Sequence, residues 1–313
     1  MRCFVTGATG FLGSHLVRLL LQRGHEVCVL MRPNSSRWRI QDISAEIRIV
    51  YGDMAVVRQV AREIKSFQPD VVFHSAWHGG NSYQYQNDTS QIYSNLYGSF
   101  DLLQIAKEAG AQRWIGLGTV AEYGKYETVL TEDLRPVPNT LYGISKYSAC
   151  MTTQKLCELN GIDFVWLRPF WTYGPYDDAL RLLPSLMIAL LREERPSLTL
   201  GEQLWDYLYV EDAVDAICRA GTMSSAHGIF NLGSGEAHSI RSIVERVRDL
   251  INPNLSIGFG EMPYRADQIM HLQADISRLQ MATGWVPQVS LEEGLKRTVN
   301  WYKSNYERVT GRY

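Results

Sequence analysis

Between Met1 and Gly24 the chain runs from a short apolar stretch, Arg2-Cys3-Phe4-Val5, through Thr6-Gly7-Ala8-Thr9-Gly10-Phe11-Leu12-Gly13 into Ser14 to Arg23. Leu16, Leu19 and Leu20 share one helical face, and Gly24 is a helix stop. Strand, tight turn and helix therefore follow one another within two dozen residues. Glycines let the backbone come close to a pyrophosphate, and the helix behind them offers unpaired N–H groups and a positive dipole end. A glycine-rich turn is informative only in that flanking context, which this one has. Its spacing is Gly-x-x-Gly-x-x-Gly, not the Gly-x-Gly-x-x-Gly of many dehydrogenases.

The same alternation continues. Glu26–Met31, Ile47–Val50, Asp70–His74, Arg113–Leu117 and Phe164–Arg168 read as strands. Val56–Phe67, Thr89–Gly110 and Tyr142–Asn160 read as helices between them. This predicts an α/β fold: a Rossmann-type, doubly wound parallel sheet with helices on both faces. Past Pro175 the alternation breaks. Short strands at Leu198–Leu200, Tyr207–Val210 and Ile229–Leu232 are mixed with helices at 181–192, 211–220, 240–251 and 291–302. A smaller α/β lobe interleaved with the first is expected. The dinucleotide-binding domain would take 1–174, with 204–234 returning to it. A nucleotide-sugar-binding lobe would take 175–203 and 235–313.

Composition serves mainly to exclude. A formal net charge of -2 gives no global attraction to nucleic acid or membrane. No apolar run is long enough to span a bilayer, and the first residues already form a strand rather than a leader. Cys3, Cys28, Cys150, Cys157 and Cys218 are scattered, as buried reduced thiols of a cytoplasmic protein would be. The 7 histidines lack metal-ligand spacing, so no metal is expected.

Tyr142-Gly143-Ile144-Ser145-Lys146 opens a helix, and one turn of spacing puts phenol and ammonium on the same face. A cation there is expected to favour the phenolate, lower the Tyr142 pKa and fit the phenol for acid–base work. Thr119 follows the fifth strand, at the ligand edge of such a sheet.

These residues, with Gly52-Asp53, His74-Ser75-Ala76, Asn95, Tyr123-Gly124, Leu167-Arg168-Pro169, Tyr173-Gly174-Pro175, Tyr207-x-Tyr209-Val210-x-Asp212 and Asn231-Leu232-Gly233, resemble the extended short-chain dehydrogenases/reductases. That is the NAD-dependent epimerase/dehydratase family of nucleotide-sugar enzymes. The resemblance implies a catalytic triad of Thr119, Tyr142 and Lys146. Tyr142 would exchange a proton with a sugar oxygen, Lys146 would hold the nicotinamide ribose, and Thr119 would orient the reacting oxygen. It implies a dinucleotide held by Thr6, Gly7, Thr9, Gly10, Phe11, Leu12 and Gly13 of the turn and by Asp53 and Met54. Ser75, Ala76, Trp77, Asn95, Leu117 and Pro169 would complete its site. A homodimer through the two long helices is implied by the resemblance as well.

Two departures bear on the reaction. The family's 4,6-dehydratases carry an Asp-Glu pair after the catalytic Thr, where this chain has Val120 and Ala121; Glu122 is one residue too late and reads as a loop residue with a local hydrogen bond. After the second strand come Met31 and Arg32, then Ser35, Ser36 and Arg37, without the carboxylate that accepts from the ribose of NAD. Arg32 and the two hydroxyls suit a 2′-phosphate, so NADP(H) is favoured, with NAD(H) the other candidate. Trp77-His78-Gly79, Ala121 to Gly124, Arg181 to Ser185 and Gly201 to Tyr207 look most like the CDP-abequose and CDP-paratose synthases and related 4-keto-6-deoxyhexose reductases. A reductase of that kind is expected, with an NDP-sugar epimerase as the alternative. A non-catalytic dinucleotide-sensing protein is the alternative from another class. For the nucleotide-diphosphate sugar, Arg265 is the expected diphosphate anchor. Trp171 and Trp205 replace polar or charged diphosphate contacts of the family, and Arg181 would supply part of that charge. His78, Thr119 and Val120, together with the loop residues Trp77, Tyr83 and Tyr85, would face the sugar.

Overall fold

The structure is a computed structural model that describes residues 1–79 and 85–311. Its centre is a seven-stranded sheet in which every neighbouring pair is parallel. The strands are β1 (Arg2–Thr6), β2 (Glu26–Met31), β3 (Arg48–Tyr51), β4 (Val71–His74), β5 (Arg113–Leu117), β7 (Asp163–Pro169) and β11 (Gly228–Leu232). Their order, β11-β7-β5-β4-β1-β2-β3, reverses direction beside β1. Ligands bind doubly wound sheets at that crevice, outside the carboxyl ends of the strands. The sheet interior is apolar in near-continuous runs, as burial on both faces requires. On one face α1 (Phe11–Gln22) packs against α6 (Val210–Thr222). On the other lie α2 (Ala61–Phe67), α3 (Tyr97–Glu108) and α4 (Leu141–Asn160).

Two of the expected helices are broken where the chain meets the crevice. The segment read as a helix from Val56 begins as a 3-10 turn, Met54–Val60, with Val56 at φ -135°. The Met54 carbonyl lies against Gly98 so closely that a side chain there would collide with it. Ahead of α3, Gln91–Leu96 forms a π turn. The Gln91 and Asn95 amides are turned out of it to bond the carbonyls of Tyr85 and His78, at 3.0 Å each. A widened turn of this kind commonly marks a functional site.

The second layer was the less legible part. β6 (Val129–Leu130), β8 (Trp171–Tyr173), β10 (Leu204–Tyr209), β12 (Ala237–Ser239) and β14 (His271–Ala274) make a smaller sheet around β10. The pair β9 (Ser197–Leu198) and β13 (Gly258–Phe259) stands beside it. Of the segment 204–234, α6 and β11 pack on the first sheet, whereas β10 pairs with β8, β12 and β14 in the second. The helices α5 (Leu182–Leu191), α7 (Ile240–Ile251) and α9 (Leu291–Ser304) close a separate apolar cluster, which α10 (Tyr306–Thr310) joins through Val309, whereas α8 (Ser277–Thr283) packs against α6 and β11. All five cysteines are buried and free. Among the described residues no helix is long and apolar enough to cross a membrane, and no group of His, Cys, Asp or Glu could hold a metal ion.

Candidate active site

At the crevice between the two layers lies a cavity of about 930 Å³, large for a single small ligand. Its floor is the glycine turn. Gly7 has φ +75°, and a side chain there would come within 2.7 Å of Ser75 Oγ and 2.8 Å of the Ala76 nitrogen. Gly10 is the N-cap of α1 and has no side chain to cap it, so the first N–H groups of the helix are open to the cavity. This bare cradle fits a pyrophosphate.

Thr9, Phe11, Leu12 and Gly13 line the same floor, and Arg32, Ser35, Asp53 and Met54 continue the lining along the ends of β2 and β3. Arg32 is exposed, and no carboxylate follows β2 at this position. Asp53 caps the following 3-10 turn, accepting from the Ala55 N–H at 2.9 Å. Two expected members lie elsewhere. Thr6 is fully buried beneath the lining: its hydroxyl accepts from the Ala76 N–H at 3.1 Å and lies 2.9 Å from His74 Nδ1. It shapes the cradle rather than forming its surface. Ser36 is exposed outside the cavity, and Arg37 turns away to donate to Tyr51 Oη at 2.7 Å.

Thr119, Tyr142 and Lys146 meet at the far end of the cavity. The Thr140 hydroxyl caps α4 by accepting from Gly143 N at 3.1 Å, which sets Tyr142 and Lys146 in the first helical turns. Lys146 Nζ donates to the Leu117 carbonyl at 2.5 Å and sits 3.9 Å above the Trp77 ring. Burial pushes its pKa well down, against the opposing pull of Glu122. The Tyr142 phenol is moved in the direction opposite to the sequence expectation. Burial raises its pKa, the Glu122 charge adds to the rise, and the Thr119 hydrogen bond and Arg181 offset part of it. The physical reason is that the Lys146 ammonium is turned onto a carbonyl and an aromatic ring, while the phenol is desolvated.

Ser75, Ala76, Trp77, Asn95, Leu117 and Pro169 line this end of the cavity. Asn95 is 3% exposed and grips the loop above it: Oδ1 accepts from the His78 N–H at 2.7 Å, and Nδ2 donates back to the His78 carbonyl. His78 and Val120 reach the cavity, whereas Tyr85 packs its ring 5.4 Å from His78 and does not. Tyr83 lies outside the described residues. On the second-lobe side, Trp171 and Trp205 lie flat on each other, with centroids 5.0 Å apart and planes 5° apart. Arg181 sits above Trp171 at 5.6 Å and 3.6 Å from the Asp177 carboxylate. Arg265, the expected anchor, is outside the lining and makes a forked pair with Asp267 at 3.0 and 2.9 Å. The acid two residues along was the signal that this guanidinium was already engaged.

Two residues escaped the sequence reading, and a third, Glu122, was read only for its local hydrogen bond. Gln203 and Asp177 line the second-lobe end, each 5% exposed. Glu122 is buried directly behind Thr119, where it completes a capping box. Its signal was present: Thr119-x-x-Glu122 is the Ser/Thr-x-x-Glu pattern of a helix start.

The profile of the NAD dependent epimerase/dehydratase family matches residues 3–233. The chain belongs to that family. Among its family relatives, UDP-glucuronate 4-epimerase of Thermodesulfobacterium geofontis is 28% identical, over 97% of both chains. dTDP-glucose 4,6-dehydratase 1 of Escherichia coli is 26% identical, over 99% of this chain and 94% of its own. The UDP-glucose 4-epimerase of Thermus thermophilus, solved with NAD, superposes with a TM-score of 0.86 at 26% identity, covering 97% of this chain and 99% of that one. These family members are named for epimerisation and dehydration. The narrower likeness to 4-ketoreductases is carried by the residues quoted from the sequence alone.

Proposed function

We propose that this protein acts on a nucleotide-diphosphate sugar, oxidising and re-reducing the hexose at C4 as a 4-epimerase does. The observation that carries the reading is the convergence of Thr119, Tyr142 and Lys146 on one end of a cavity whose other end is the bare glycine cradle. Gly7, Gly10 and the open N–H groups of α1 would hold the pyrophosphate, and Lys146 the ribose beside the reacting carbon. A bound nicotinamide supplies hydride exchange at that carbon. Tyr142 would take the proton of the C4 hydroxyl and return it to the same oxygen when the C4 ketone is reduced on its other face, with Thr119 holding that oxygen by a hydrogen bond. Trp171, Trp205 and Arg181 would receive the nucleotide half. Val120 and Ala121 carry no acid where the family's dehydratases have their Asp-Glu pair, which speaks against dehydration.

A second reading, 4-ketoreduction with NADPH, is favoured by Arg32 and Ser35 at the end of β2. The two part cleanly in one experiment. The purified protein is incubated with UDP-glucose, UDP-glucuronate or dTDP-glucose without added reductant, and separately with NADPH and NDP-4-keto-6-deoxyhexoses. A C4 epimer seen by proton NMR in the first arm supports the epimerase. NADPH oxidation matching product in the second arm supports the reductase. Dinucleotide binding without turnover in either arm refutes both and favours a sensing protein.

A further inference from the structure

Glu122 is a fully buried carboxylate within one turn of the reacting groups, and the chemistry proposed above gives it no part. Its Oε1 accepts from the Thr119 backbone N–H and from Trp166 Nε1, both at 2.9 Å. Its Oε2 accepts from Arg168 Nε at 2.8 Å. The side chains of the pair are 0% and 1% exposed. The carboxylate rests on Gly118, where any side chain would collide with it and with the Trp166 indole. Trp166 and Arg168 belong to β7, so the carboxylate ties the loop after β5 to the neighbouring strand. The chain of contacts runs on. Arg168 lies 4.5 Å over the Tyr123 ring, Tyr123 Oη donates to Asn231 Oδ1 at 2.7 Å, and the Asn231 N–H donates to Glu132 Oε1 at 2.7 Å.

A buried ion pair is expensive to maintain and, against apolar replacements, adds little stability. What this one secures is geometry. Thr119 is held at both ends: its N–H by the Glu122 carboxylate, and its Oγ1 by the Ala121 N–H, from which it accepts at 3.2 Å. The Thr119 hydroxyl is thereby left facing Tyr142.

We propose that Glu122 is a positioning residue of this site: anchored by Arg168 and Trp166, it fixes the Thr119 backbone and supplies the buried negative charge that the Tyr142–Lys146 pair faces. This rests on Thr119, Tyr142 and Lys146 being the reacting groups. Around Lys146 the buried charges are Glu122 and its partner Arg168, which together also act on Cys150 one turn along α4; His74 faces the ammonium too, its own pKa pushed down to about 3 by burial and by Lys146. Around Tyr142 the charged groups are Glu122 and Arg181.

The test reads Lys146 directly, without a substrate. The rate of Lys146 acylation by acetic anhydride is followed against pH by peptide mass spectrometry in wild type and Glu122→Gln. The variant Glu122→Gln/Arg168→Met repeats the measurement without leaving a buried cation unpaired, so folding is preserved. Loss of the negative charge should move the Lys146 midpoint down by about one pH unit or more in Glu122→Gln, and by less in the double variant, where the Arg168 cation is lost with it. A merely structural role would loosen the site, expose the ammonium and move the midpoint up, toward the ordinary lysine value. An unchanged or raised midpoint overturns the proposal. In Glu122→Ala the Thr119 amide should lose its protection from hydrogen exchange; retained protection also overturns it. Where epimerisation is found, Glu122→Gln should cut kcat about tenfold or more with KM unchanged. Absence of epimerisation would instead count against the proposed function and leave the labelling result to decide this one.

Discussion

Gly13→Ala tests whether the turn that opens the chain is built as a dinucleotide cradle. A methyl group on Gly13 would lie 2.7 Å from the Gly7 carbonyl carbon, closer still to its oxygen, and 3.1 Å from Ala8 Cα. Non-bonded carbons settle about 3.5 to 4.0 Å apart, so α1 would have to retreat by roughly 1 Å. The obstacle is backbone, and it is already engaged: the Gly10 N–H donates to the Gly7 carbonyl at 2.9 Å. Overpacking of this kind costs about 1 to 3 kcal/mol, and a rigid obstacle argues for the upper half. At roughly 2 °C per kcal/mol for a chain of this length, the melting temperature should fall by about 4 to 6 °C. The retreat also draws the N–H groups of α1 away from a pyrophosphate. Dinucleotide affinity should drop at least about tenfold, or 1.4 kcal/mol. Gly24→Ala is the control: at φ +75° it has open space around it and bears only a left-handed strain of about 1 to 2 kcal/mol. It should cost stability and leave binding alone. Thermal unfolding and isothermal titration with NAD and NADP read both. Wild-type binding by Gly13→Ala would refute the assignment of this turn to the pyrophosphate.

Tyr142→Phe keeps the half-buried ring but removes the proposed proton carrier, so turnover should fall about 10²- to 10⁴-fold with dinucleotide affinity held; steady-state kinetics and titration separate the two. Burial raises the Asp177 pKa to about 6, with Arg181 partly offsetting it. The folded state therefore holds that proton more tightly than the unfolded chain, and the cost of ionising it is present above pH 6 and fades as the pH falls toward 4. Asp177→Asn should accordingly stabilise the protein by up to about 3 kcal/mol at pH 7.5 and by much less at pH 4, as urea unfolding at the two pH values would show. Arg113 donates to the carbonyls of Ala220, Met223 and Ala226 and pairs with Asp163 at 2.9 Å. Arg113→Met strands carbonyls in and just after α6 and should cost about 2 to 4 kcal/mol in the same assay, while the half-exposed Asp163 is left to water. Arg32→Ala should weaken NADP binding more than NAD binding; an equal effect on both would place the 2′-phosphate elsewhere.

The first sheet was legible where its strands, such as β1 and β4, are continuous buried runs that lead into a helix, a pattern that burial on both faces imposes. The second sheet was not. β6 has two residues and β12 three, and such strands exist only through their partners. Only Phe170 separates the end of β7 from the start of β8, so 163–173 looks like one strand and a loop. In the site, residues set by a turn or a helix start, such as Gly7, Tyr142 and Lys146, could be placed from spacing. What spacing does not carry is competition for a side chain. Lys146 goes to the Leu117 carbonyl and Trp77, which reverses the expected effect on Tyr142. Arg265 goes to Asp267, which removes it from the cavity.

The path of the polypeptide between the sheets has a consequence for how the molecule can be divided. After β7 it leaves the first sheet for β8 and β10, returns through α6 to lay down β11, and leaves again for β12. A fragment cut at residue 174 would contain every residue of the glycine turn and of the triad, yet its sheet would end at β7. The unpaired edge of β7, with the apolar face that α6 covers, would be a template for pairing with other chains. The half that holds the glycine turn would thus need, to keep its sheet edge paired, a strand encoded more than fifty residues after that cut.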